Sequence, residues 1–333
     1  MIISVLVGIG ISTGAVGKAV GGERTVMAGS SPAGPAPLRV HDPSAILRCG
    51  DEYWFFSTGT GVVSRRSRDL LSWTAGPPVF DTIPAWIGEF LPGHRGHLWA
   101  PDLVRLKDRY LVYYSVSTWG RNTSAIALAS NPTLDPADPA FRWTDEGVVL
   151  RSQASDDFNA IDPAVFLDHD GRLWMALGSF WSGIKLVEVD ALTGRRGDPA
   201  SPVIPLATHP QIEAPALMTH GGRYFLFVNW GFCCRGTNSS YEIRMGRGDR
   251  ITGPYRDREG CDLIEGGGSL FLASEADQIG PGHVALVEDG TGSRWSYHYY
   301  DAERRGVPRL GLRSIEWDDE GWPMAGRRME IPP

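Results

Sequence analysis

One sequence pattern recurs five times along this chain of 333 residues. In each copy a polar cluster that contains proline precedes a short apolar segment, a polar turn and a second apolar segment rich in aromatic residues. Two apolar segments joined by a polar turn predict a β-hairpin. The five copies are VHDPSAILRCGDEYWFFSTG (40–59), WAPDLVRLKDRYLVYY (99–114), IDPAVFLDHDGRLWMAL (161–177), IEAPALMTHGGRYFLFV (212–228) and GPGHVALVEDGTGSRWSYHY (280–299).

The spacing of the copies constrains the fold further. Their polar residues Asp42, Asp102, Asp162, Glu213 and His283 follow one another at intervals of 60, 60, 51 and 70 residues. A repeat of about 60 residues holds roughly four strands, which is the content of one propeller blade. Such sheets stack around an axis because they cannot bury both faces alone. The sequence therefore predicts an all-β fold, a five-bladed β-propeller.

The composition agrees with many short strands. The chain contains 41 glycines and 24 prolines, and these residues divide it into short apolar runs. The pairs Lys107-Asp108, Asp170-Gly171 and Gly221-Gly222 are typical of hairpin turns. Outer strands of the blades are predicted near RDLLSWT (68–74), FRWTDEG (141–147), ITGPYRD (251–257) and SIEWDDEGWP (314–323).

The sequence divides into two parts. Residues 38–333 are predicted to form the propeller domain, and residues 1–37 a signal-like segment and linker. The apolar run at the N-terminus is too short to span a membrane, and it lacks the positive start of a good signal peptide. We expect a secreted or periplasmic protein, with a poorly ordered tail on a cytoplasmic protein as the alternative.

The charge excludes some classes of partner. The net charge is −7 at pH 7 and there is no basic cluster, so neither nucleic acid nor an anionic membrane is an expected partner. The 12 tryptophans and 10 tyrosines can build a core or stack on flat apolar ligand faces such as sugar rings. We expect a monomer.

The four cysteines do not form a metal-binding pattern. Cys233 and Cys234 are adjacent, whereas Cys49 and Cys261 are distant in sequence. Four cysteines allow three disulfide pairings, one of which joins the adjacent pair. Unpaired cysteines that act as small apolar residues are the alternative.

A propeller would bring distant acidic residues together. The first strand of each blade lines the central channel, so its first residues from different blades meet at one mouth. A single Asp-Pro is ordinary turn chemistry, but Asp42, Asp162 and Glu213 at one mouth repel one another and raise one another's pKa. That arrangement costs stability and suits acid–base chemistry. Asp102 follows its proline instead of preceding it, and we interpret it as structural.

Seven short motifs occur in order along the chain and together carry a resemblance. The motifs are HDPS (41–44), WAPD (99–102), NAIDPAVF (159–166), GSFWSGI (178–184), IEAPAL (212–217), NSSYEIRMGRGDRITGPY (238–255) and GPGH (280–283). Through them the sequence resembles glycoside hydrolase family 43 over residues 38–325, and within it the endo-1,5-α-L-arabinanases. The resemblance independently implies a five-bladed propeller.

The resemblance implies a catalytic role for each of the three acids. Asp42 corresponds to the general base that activates water, Glu213 to the general acid, and Asp162 to a carboxylate that keeps the pKa of the acid high and orients it. Members of the family invert the anomeric centre, which requires roughly 6.5–9.5 Å between the two carboxyl groups to admit a water. The implied reaction is internal cleavage of α-1,5-linked L-arabinan.

The resemblance also implies ligand contacts. His283 corresponds to a histidine that helps to hold a hydrated ion, often Ca²⁺, in the channel, and a histidine satisfied within the core is the alternative. Trp99 and Trp119 are candidate stacking faces for sugars, although tryptophan between blades is often only packing. Asn159 and Ser179 are candidates to bind sugar hydroxyls.

Other activities remain open from the sequence. Within the family, an exo-acting α-L-arabinofuranosidase or β-xylosidase would have the same three acids. Retaining fructan-cleaving propellers are a rival, but the Glu-Cys context of their acid is absent around Glu213. A non-catalytic glycan-binding propeller is the alternative of another class, and it gives no reason to keep three repelling carboxylates.

Overall fold

The computed structural model describes residues 38–198, 200–290 and 294–332, and strands dominate it. The predictions for residues 1–37 lie outside this range. Helical structure in the described residues consists of the short α-helix α1 (Ala85–Phe90) and the 3-10 turns Gly236–Asn238, Leu263–Glu265 and Ala302–Arg304. Among these residues, none of the helices has the length and apolar character needed to cross a membrane.

The strands follow the repeat that the sequence predicts. Five consecutive groups of four strands each form an antiparallel sheet, and a short extra strand, β3, joins the edge of the second. The first blade is β1 (Ile46–Cys49), β2 (Glu52–Ser57), β4 (Val63–Ser67) and β5 (Thr74–Ala75). The second is β6 (His97–Leu106), β7 (Arg109–Val116), β8 (Ser124–Asn131) and β9 (Thr144–Ser152). The extra strand β3 (Gly59–Thr60) lies between β2 and β4 in the sequence and pairs with β6.

The remaining three blades continue in the same order along the chain. The third is β10 (Ala164–Leu167), β11 (Leu173–Leu177), β12 (Ile184–Val189) and β13 (Ile204–Ala207). The fourth is β14 (Ile212–His220), β15 (Arg223–Trp230), β16 (Glu242–Gly248) and β17 (Ser269–Leu272). The fifth is β18 (Gln278–Glu288), β19 (Arg294–Asp301), β20 (Val307–Trp317) and β21 (Pro323–Met329).

The five blades close into a ring. The first strand of each blade contacts the first strand of the next, in the order β1, β6, β10, β14, β18 and back to β1. The last and first blades are joined by parallel pairing of β18 with β1, with Val287 opposite Ile46. Five hydrophobic clusters fill the structure, and each lies between two adjacent blades. The five-bladed β-propeller is confirmed.

The three predicted hairpin turns are confirmed, and the predicted outer strand at 141–147 overlaps β9. The segments 68–74 and 314–323 reach only the first residues of β5 and β21. The outer strand of the fourth blade was placed wrongly. Residues 251–257 form turns and an isolated bridge, and the fourth strand is β17. Gly253 and Pro254 interrupt the segment, and proline cannot donate to a strand ladder. Tyr255 is instead fully buried in the cluster between the third and fourth blades.

One residue just before or within the inner strand of each blade has an unusual backbone conformation, and we call it the bulge residue of that blade. It is a non-glycine residue in the left-handed region, which L-residues seldom adopt. In the second, fourth and fifth blades the pairing register shifts at this point, as in a β-bulge. These five bulge residues, with their φ angles, are Asp42 (52°), Ala100 (22°), Asp162 (56°), Ala214 (51°) and His283 (59°).

The backbone N–H of each bulge residue bonds to a side chain that belongs to the preceding blade. Four of the acceptors lie at or just beyond the end of the second strand of that blade. This inter-blade ring passes once around the propeller. Its bonds run from Asp42 to His298 Nδ1 (3.2 Å), from Ala100 to Thr58 Oγ1 (2.8 Å), from Asp162 to Ser115 Oγ (3.1 Å), from Ala214 to Asp162 Oδ2 (3.2 Å) and from His283 to Asn229 Oδ1 (2.8 Å).

One blade departs from this rule. Gly178 occupies the second-strand position of the third blade, where its N–H bonds to the carbonyl of Ile161 as that of Thr58 bonds to the carbonyl of His41 in the first. Glycine has no side chain to accept a bond, so the carboxylate of Asp162 takes the N–H of Ala214 instead. A predicted catalytic residue therefore also joins the third and fourth blades.

Asp102 joins three blades. Its Oδ1 accepts the N–H groups of Ala45 in the first blade (3.1 Å) and Leu103 in its own (2.9 Å). Its Oδ2 accepts the N–H of Val165 in the third blade (2.7 Å). These bonds confirm the structural interpretation of this aspartate.

Candidate active site

A cavity of about 990 Å³ opens where the inner strands begin. Its walls come from all five blades and include both polar and aromatic side chains. Every residue that the sequence singled out for catalysis, metal binding or sugar contact lines it. They are Asp42, Trp99, Trp119, Asn159, Asp162, Ser179, Glu213 and His283.

The bulges explain how these residues meet. Asp42, Asp162 and His283 are bulge residues of the first, third and fifth blades, and they are structurally equivalent. Glu213 lies one position earlier, since the bulge residue of its blade is Ala214. The four side chains thus reach one cavity although three of them share a position in the repeat and the fourth does not.

The two oxygens of Asp42 have different surroundings. Oδ2 lies 2.8 Å from Nδ1 of His41 and accepts the hydroxyl of Thr58 at 2.5 Å. Burial alone would raise the pKa of Asp42, but His41 holds it well below its usual range by charge and hydrogen bonding, with smaller contributions from His283 and His298. Asp42 is therefore ionised at neutral pH.

Glu213 has the opposite electrostatic environment. Its side chain is buried, and its Oε2 accepts the hydroxyl of Ser179 at 2.7 Å. Burial raises its pKa to about 7, and the negative charge of Asp42 adds to this effect. The hydrogen bond from Ser179 opposes it, because a donor stabilises the ionised carboxylate. Near neutral pH a large fraction of Glu213 is protonated.

Asp162 forms a coupled pair with Glu213. Burial and the negative charges of Glu213 and Asp42 raise its pKa well above the ordinary value, while the N–H of Ala214 favours its ionised form. The pair therefore retains a proton that Asp42 does not. Carboxyl groups whose environments separate their pKa values in this way have divided the roles of acid and base.

Aromatic side chains form two groups on the cavity wall. Trp99 and Trp119 meet edge to face with ring centroids 6.2 Å apart, and Trp119 is 74% exposed. Phe180 and Phe232 lie 6.0 Å apart, and Arg235 lies over the ring of Phe232. Exposed aromatic rings on a cavity wall can stack on the apolar faces of sugars.

The two polar residues predicted to bind sugar hydroxyls are both buried. Ser179 donates its hydroxyl to Glu213, so it acts on the acid. Asn159 accepts the hydroxyl of Ser124 through its Oδ1 at 2.6 Å. Their roles as sugar contacts remain predictions, as do those of Trp99 and Trp119.

The adjacent cysteines form a disulfide at the cavity. Cys233 is bonded to Cys234, while Cys49 and Cys261 are free. Sγ of Cys234 lies 3.6 Å from Nε2 of His41. Of the alternatives that the sequence left open, the pairing of the adjacent cysteines is confirmed.

Several residues of the site were missed in the sequence. His41, which directly precedes Asp42 in the sequence, contacts its carboxylate. Thr58, at the end of the first hairpin, contacts the same carboxylate. Phe180 and Trp181 line the cavity within the motif GSFWSGI. The sequence signal that could have found them is their place in or near a motif. Their roles depend on contacts with residues distant in the sequence, which no motif shows.

The surroundings of His283 fit a weak metal ligand. Its side chain is buried beside the cavity, and burial lowers the pKa of its imidazole, which favours the neutral form that binds metals. Nδ1 lies 3.6 Å from Oδ1 of Asp42. Because Ca²⁺ prefers six to eight oxygen ligands, one imidazole fits an ion that keeps most of its waters.

The sequence is similar to those of known proteins. The profile of the family described as glycosyl hydrolases family 43 matches residues 35–323, most of the chain. The chain belongs to this family. It is therefore a glycoside hydrolase, in agreement with the ionised Asp42 and the largely protonated Glu213 in one cavity.

Two named relatives and one solved structure match most of this glycoside hydrolase. A protein of Cellvibrio japonicus named extracellular exo-α-(1→5)-L-arabinofuranosidase is 39% identical over 89% of this chain and 88% of its own length. One of Bacillus subtilis named extracellular endo-α-(1→5)-L-arabinanase 1 is 38% identical over 85% and 87%. The structure of a Cellvibrio cellulosa α-L-arabinanase complexed with arabinohexaose superposes with a TM-score of 0.82, at 38% identity, over 87% of this chain and 96% of that one.

The bond from Ser179 leads to a test of the acid. The acid must be protonated to act, so activity should fall as the pH rises through about 7, the pKa of Glu213. Ser179→Ala removes a donor that favours the ionised form. We expect the pKa of Glu213 to rise and the alkaline limb of the kcat/KM profile to move to higher pH.

A matched control has the same pair of residue types outside the cavity. Ser130 donates to Glu146 at 2.6 Å in the second blade, and Ser130→Ala should leave the alkaline limb in place. An alkaline limb that does not move in Ser179→Ala would show that Ser179 does not tune the acid.

Proposed function

We propose that this glycoside hydrolase cleaves α-1,5-linked L-arabinan internally, with inversion at the anomeric carbon. The observation that carries the proposal is one ionised carboxylate, Asp42, in the same cavity as a proton-retaining pair, Asp162 and Glu213. The names of its relatives supply the substrate, since both act on α-(1→5)-linked arabinose. The exposed tryptophan rings support a sugar polymer as ligand.

The proposed reaction uses each carboxyl group once. Asp42 accepts a proton from a water molecule as that water attacks the anomeric carbon. Glu213 donates its proton to the glycosidic oxygen as the bond from that oxygen to the anomeric carbon breaks. Asp162 accepts the N–H of Ala214, the residue after the acid, and so positions the segment that carries Glu213.

An exo-acting α-L-arabinofuranosidase is the second candidate. The relative from Cellvibrio japonicus, at 39% identity, is named for exo action, and the same three carboxyl groups would serve it. The two candidates differ in the product that appears first. A β-xylosidase has less support, because neither named relative is described as acting on xylose.

The products of early digestion distinguish these candidates. With linear 1,5-arabinan as substrate, we expect arabino-oligosaccharides of several lengths to appear before free arabinose. Chromatography of samples taken at low conversion would measure this. Arabinose alone at early times would assign exo action, and release from xylo-oligosaccharides but not from arabinan would overturn the substrate.

Substitution of the acid and the base should have separable effects. We expect Asp42→Ala and Glu213→Ala each to lower kcat on arabinan by roughly 10²–10⁴-fold, the range for general acid–base catalysis. An aryl arabinofuranoside with an activated leaving group needs little protonation. This substrate should partly restore the activity of Glu213→Ala and should not restore that of Asp42→Ala.

An exposed aspartate provides the control for these variants. Asp249 is 78% exposed and pairs with Arg223 at the surface, so Asp249→Ala should keep wild-type activity. If the activated substrate restored Asp42→Ala instead of Glu213→Ala, the two roles would be reversed.

We also propose that His283 holds a hydrated Ca²⁺ ion in the channel. The neutral, buried imidazole beside the cavity supports this, as does its distance of 3.6 Å from Oδ1 of Asp42. When bound, the ion would supply positive charge close to the grouped carboxylates. Because one imidazole and water bind Ca²⁺ weakly, the ion should exchange readily.

Removal of the metal tests this proposal. Dialysis against a chelator should lower activity, and added Ca²⁺ should restore it in the wild type but not in His283→Ala. Calorimetry should detect Ca²⁺ binding to the wild type and to the exposed control His220→Ala, but not to His283→Ala. Equal binding by all three proteins would remove His283 from the metal site.

Export from the cytoplasm follows as a further part of the proposal. The two named relatives are both described as extracellular. A disulfide also persists most readily in an oxidising compartment, and this chain has one at its cavity. We therefore propose that the enzyme acts outside the cytoplasm, in a secreted or periplasmic location.

A further inference from the structure

The unequal environment of the two Asp42 oxygens extends to residues beyond the three acids. Oδ2 has two close partners, the hydroxyl of Thr58 and Nδ1 of His41. Nδ1 of His283 and Nδ1 of His298 each lie 3.6 Å from Oδ1. That distance is too long for a hydrogen bond. The lone pairs of Oδ1 thus remain available to another donor.

His41 is itself held by Tyr300. Nε2 of His41 lies 2.8 Å from the hydroxyl oxygen of Tyr300, which also accepts the N–H of Cys234 at 2.7 Å. A hydrogen bond with Ser239 also favours negative charge on this oxygen, as a donor would. In either protonation state of the ring, Nε2 has the Tyr300 hydroxyl as its partner, and Nδ1 faces a carboxylate oxygen that can only accept. Nδ1 of His41 then carries the proton that faces Asp42.

The imidazole of His41 is also fixed in its plane. It stacks on the ring of His298 with centroids 4.0 Å apart and an interplanar angle of 25°. His298 is fully buried and accepts the N–H of Asp42 through Nδ1. Hydrogen bonds at both nitrogens and a stacked ring therefore leave His41 one orientation, in which it points Nδ1 at Oδ2.

Thr58 has two roles at the same point. Its hydroxyl donates to Oδ2 of Asp42 and accepts the N–H of Ala100, the bulge residue of the second blade. An oxygen that accepts a backbone N–H directs its own proton elsewhere, and Oδ2 is the acceptor in reach. The position of the base is thereby tied to the inter-blade ring.

We propose that Thr58 and Tyr300 are positioning residues for the base, which act with His41 to occupy Oδ2 of Asp42 and leave Oδ1 to the attacking water. The proposal rests on the hydrolysis and on the role of Asp42 proposed above. A base must meet its proton at about 2.6–3.2 Å, and an error near 1 Å can cost roughly 10²-fold in rate. A carboxylate free to rotate would present either oxygen and lose that geometry.

Substitution of the two residues tests the proposal on linear 1,5-arabinan. We expect Thr58→Val and Tyr300→Phe each to lower kcat by about tenfold or more, with little change in KM, since they alter the chemical step and not substrate binding. Thr58→Ser keeps the hydroxyl and should restore most of kcat. Wild-type kcat in both Thr58→Val and Tyr300→Phe would overturn the proposal.

A matched tyrosine separates positioning from loss of stability. Tyr255 is fully buried and donates its hydroxyl to the carbonyl of Ile251 at 2.9 Å, away from the cavity. Tyr255→Phe loses a comparable buried bond and should keep wild-type kcat. If Tyr255→Phe lost as much activity as Tyr300→Phe, the effect would be structural and the proposal would fail.

The leaving group assigns the defect to the base. Loss of base function should persist on an activated aryl arabinofuranoside. The ratio of kcat in Tyr300→Phe to kcat in the wild type should therefore be the same on this substrate and on arabinan. Recovery of that ratio on the aryl substrate would place the effect on Glu213 and contradict the proposal. If the wild type preferred another glycoside, the proposed substrate would be wrong. The ratio of variant to wild-type kcat on that glycoside would then still test the roles of Thr58 and Tyr300.

A measurement that needs no turnover completes the test. In ¹⁵N-histidine-labelled enzyme, we expect the Nδ1 proton of His41 to give a signal protected from exchange with water. Tyr300→Phe should lose this protection, and Tyr255→Phe should retain it. Equal protection in Tyr300→Phe and the wild type would show that Tyr300 does not hold the imidazole.

Discussion

The inter-blade ring of side-chain to backbone hydrogen bonds holds the active site in place. A non-glycine residue in the left-handed region costs about 1–3 kcal/mol, and each blade has one at its bulge. A buried N–H without a partner would add about 1–3 kcal/mol. The preceding blade removes that second cost five times, so the bulge of each blade is stable only in the presence of its neighbour. Closure of the propeller and placement of its functional side chains thus depend on the same bonds.

The division between acid and base follows from which donors each carboxyl group meets. Asp162 and Glu213 are buried at the cavity and Asp42 is 15% exposed there, and removal from water alone would raise the pKa of each. The pKa of Asp42 is lowered all the same, because the charge and the hydrogen bond of His41 stabilise its ionised form, with smaller contributions from His283 and His298. Glu213 meets one hydroxyl and Asp162 one backbone N–H, which do not offset burial. A few short contacts therefore assign opposite protonation states to groups in one cavity.

Much of this architecture could be predicted from the sequence, and the exceptions have physical causes. The period near 60 residues and the proline-containing clusters predict the propeller, because each blade repeats the same local chemistry. The meeting of Glu213 with Asp162 at one mouth could be predicted, but the one-residue offset of Glu213 from the bulge residue Ala214 leaves no sequence signal. The prediction of an outer strand at 251–257 was wrong, because Gly253 and Pro254 interrupt strand pairing and Tyr255 packs into the core instead. Tyr300 and Thr58 were missed because their roles come from partners in other blades.

The equivalence of the bulge residues has a consequence for how such an enzyme can diversify. Asp, Ala, Asp, Ala and His occupy one structural position around a common axis, and a side chain of the preceding blade binds the backbone N–H at each of them. Apart from Asp162, which is itself one of these binding side chains, a bulge residue takes part in the ring through its backbone alone. Ala100 and Ala214 are the two positions whose side chains carry no functional group. The chemistry at this position can therefore change one blade at a time without a new fold.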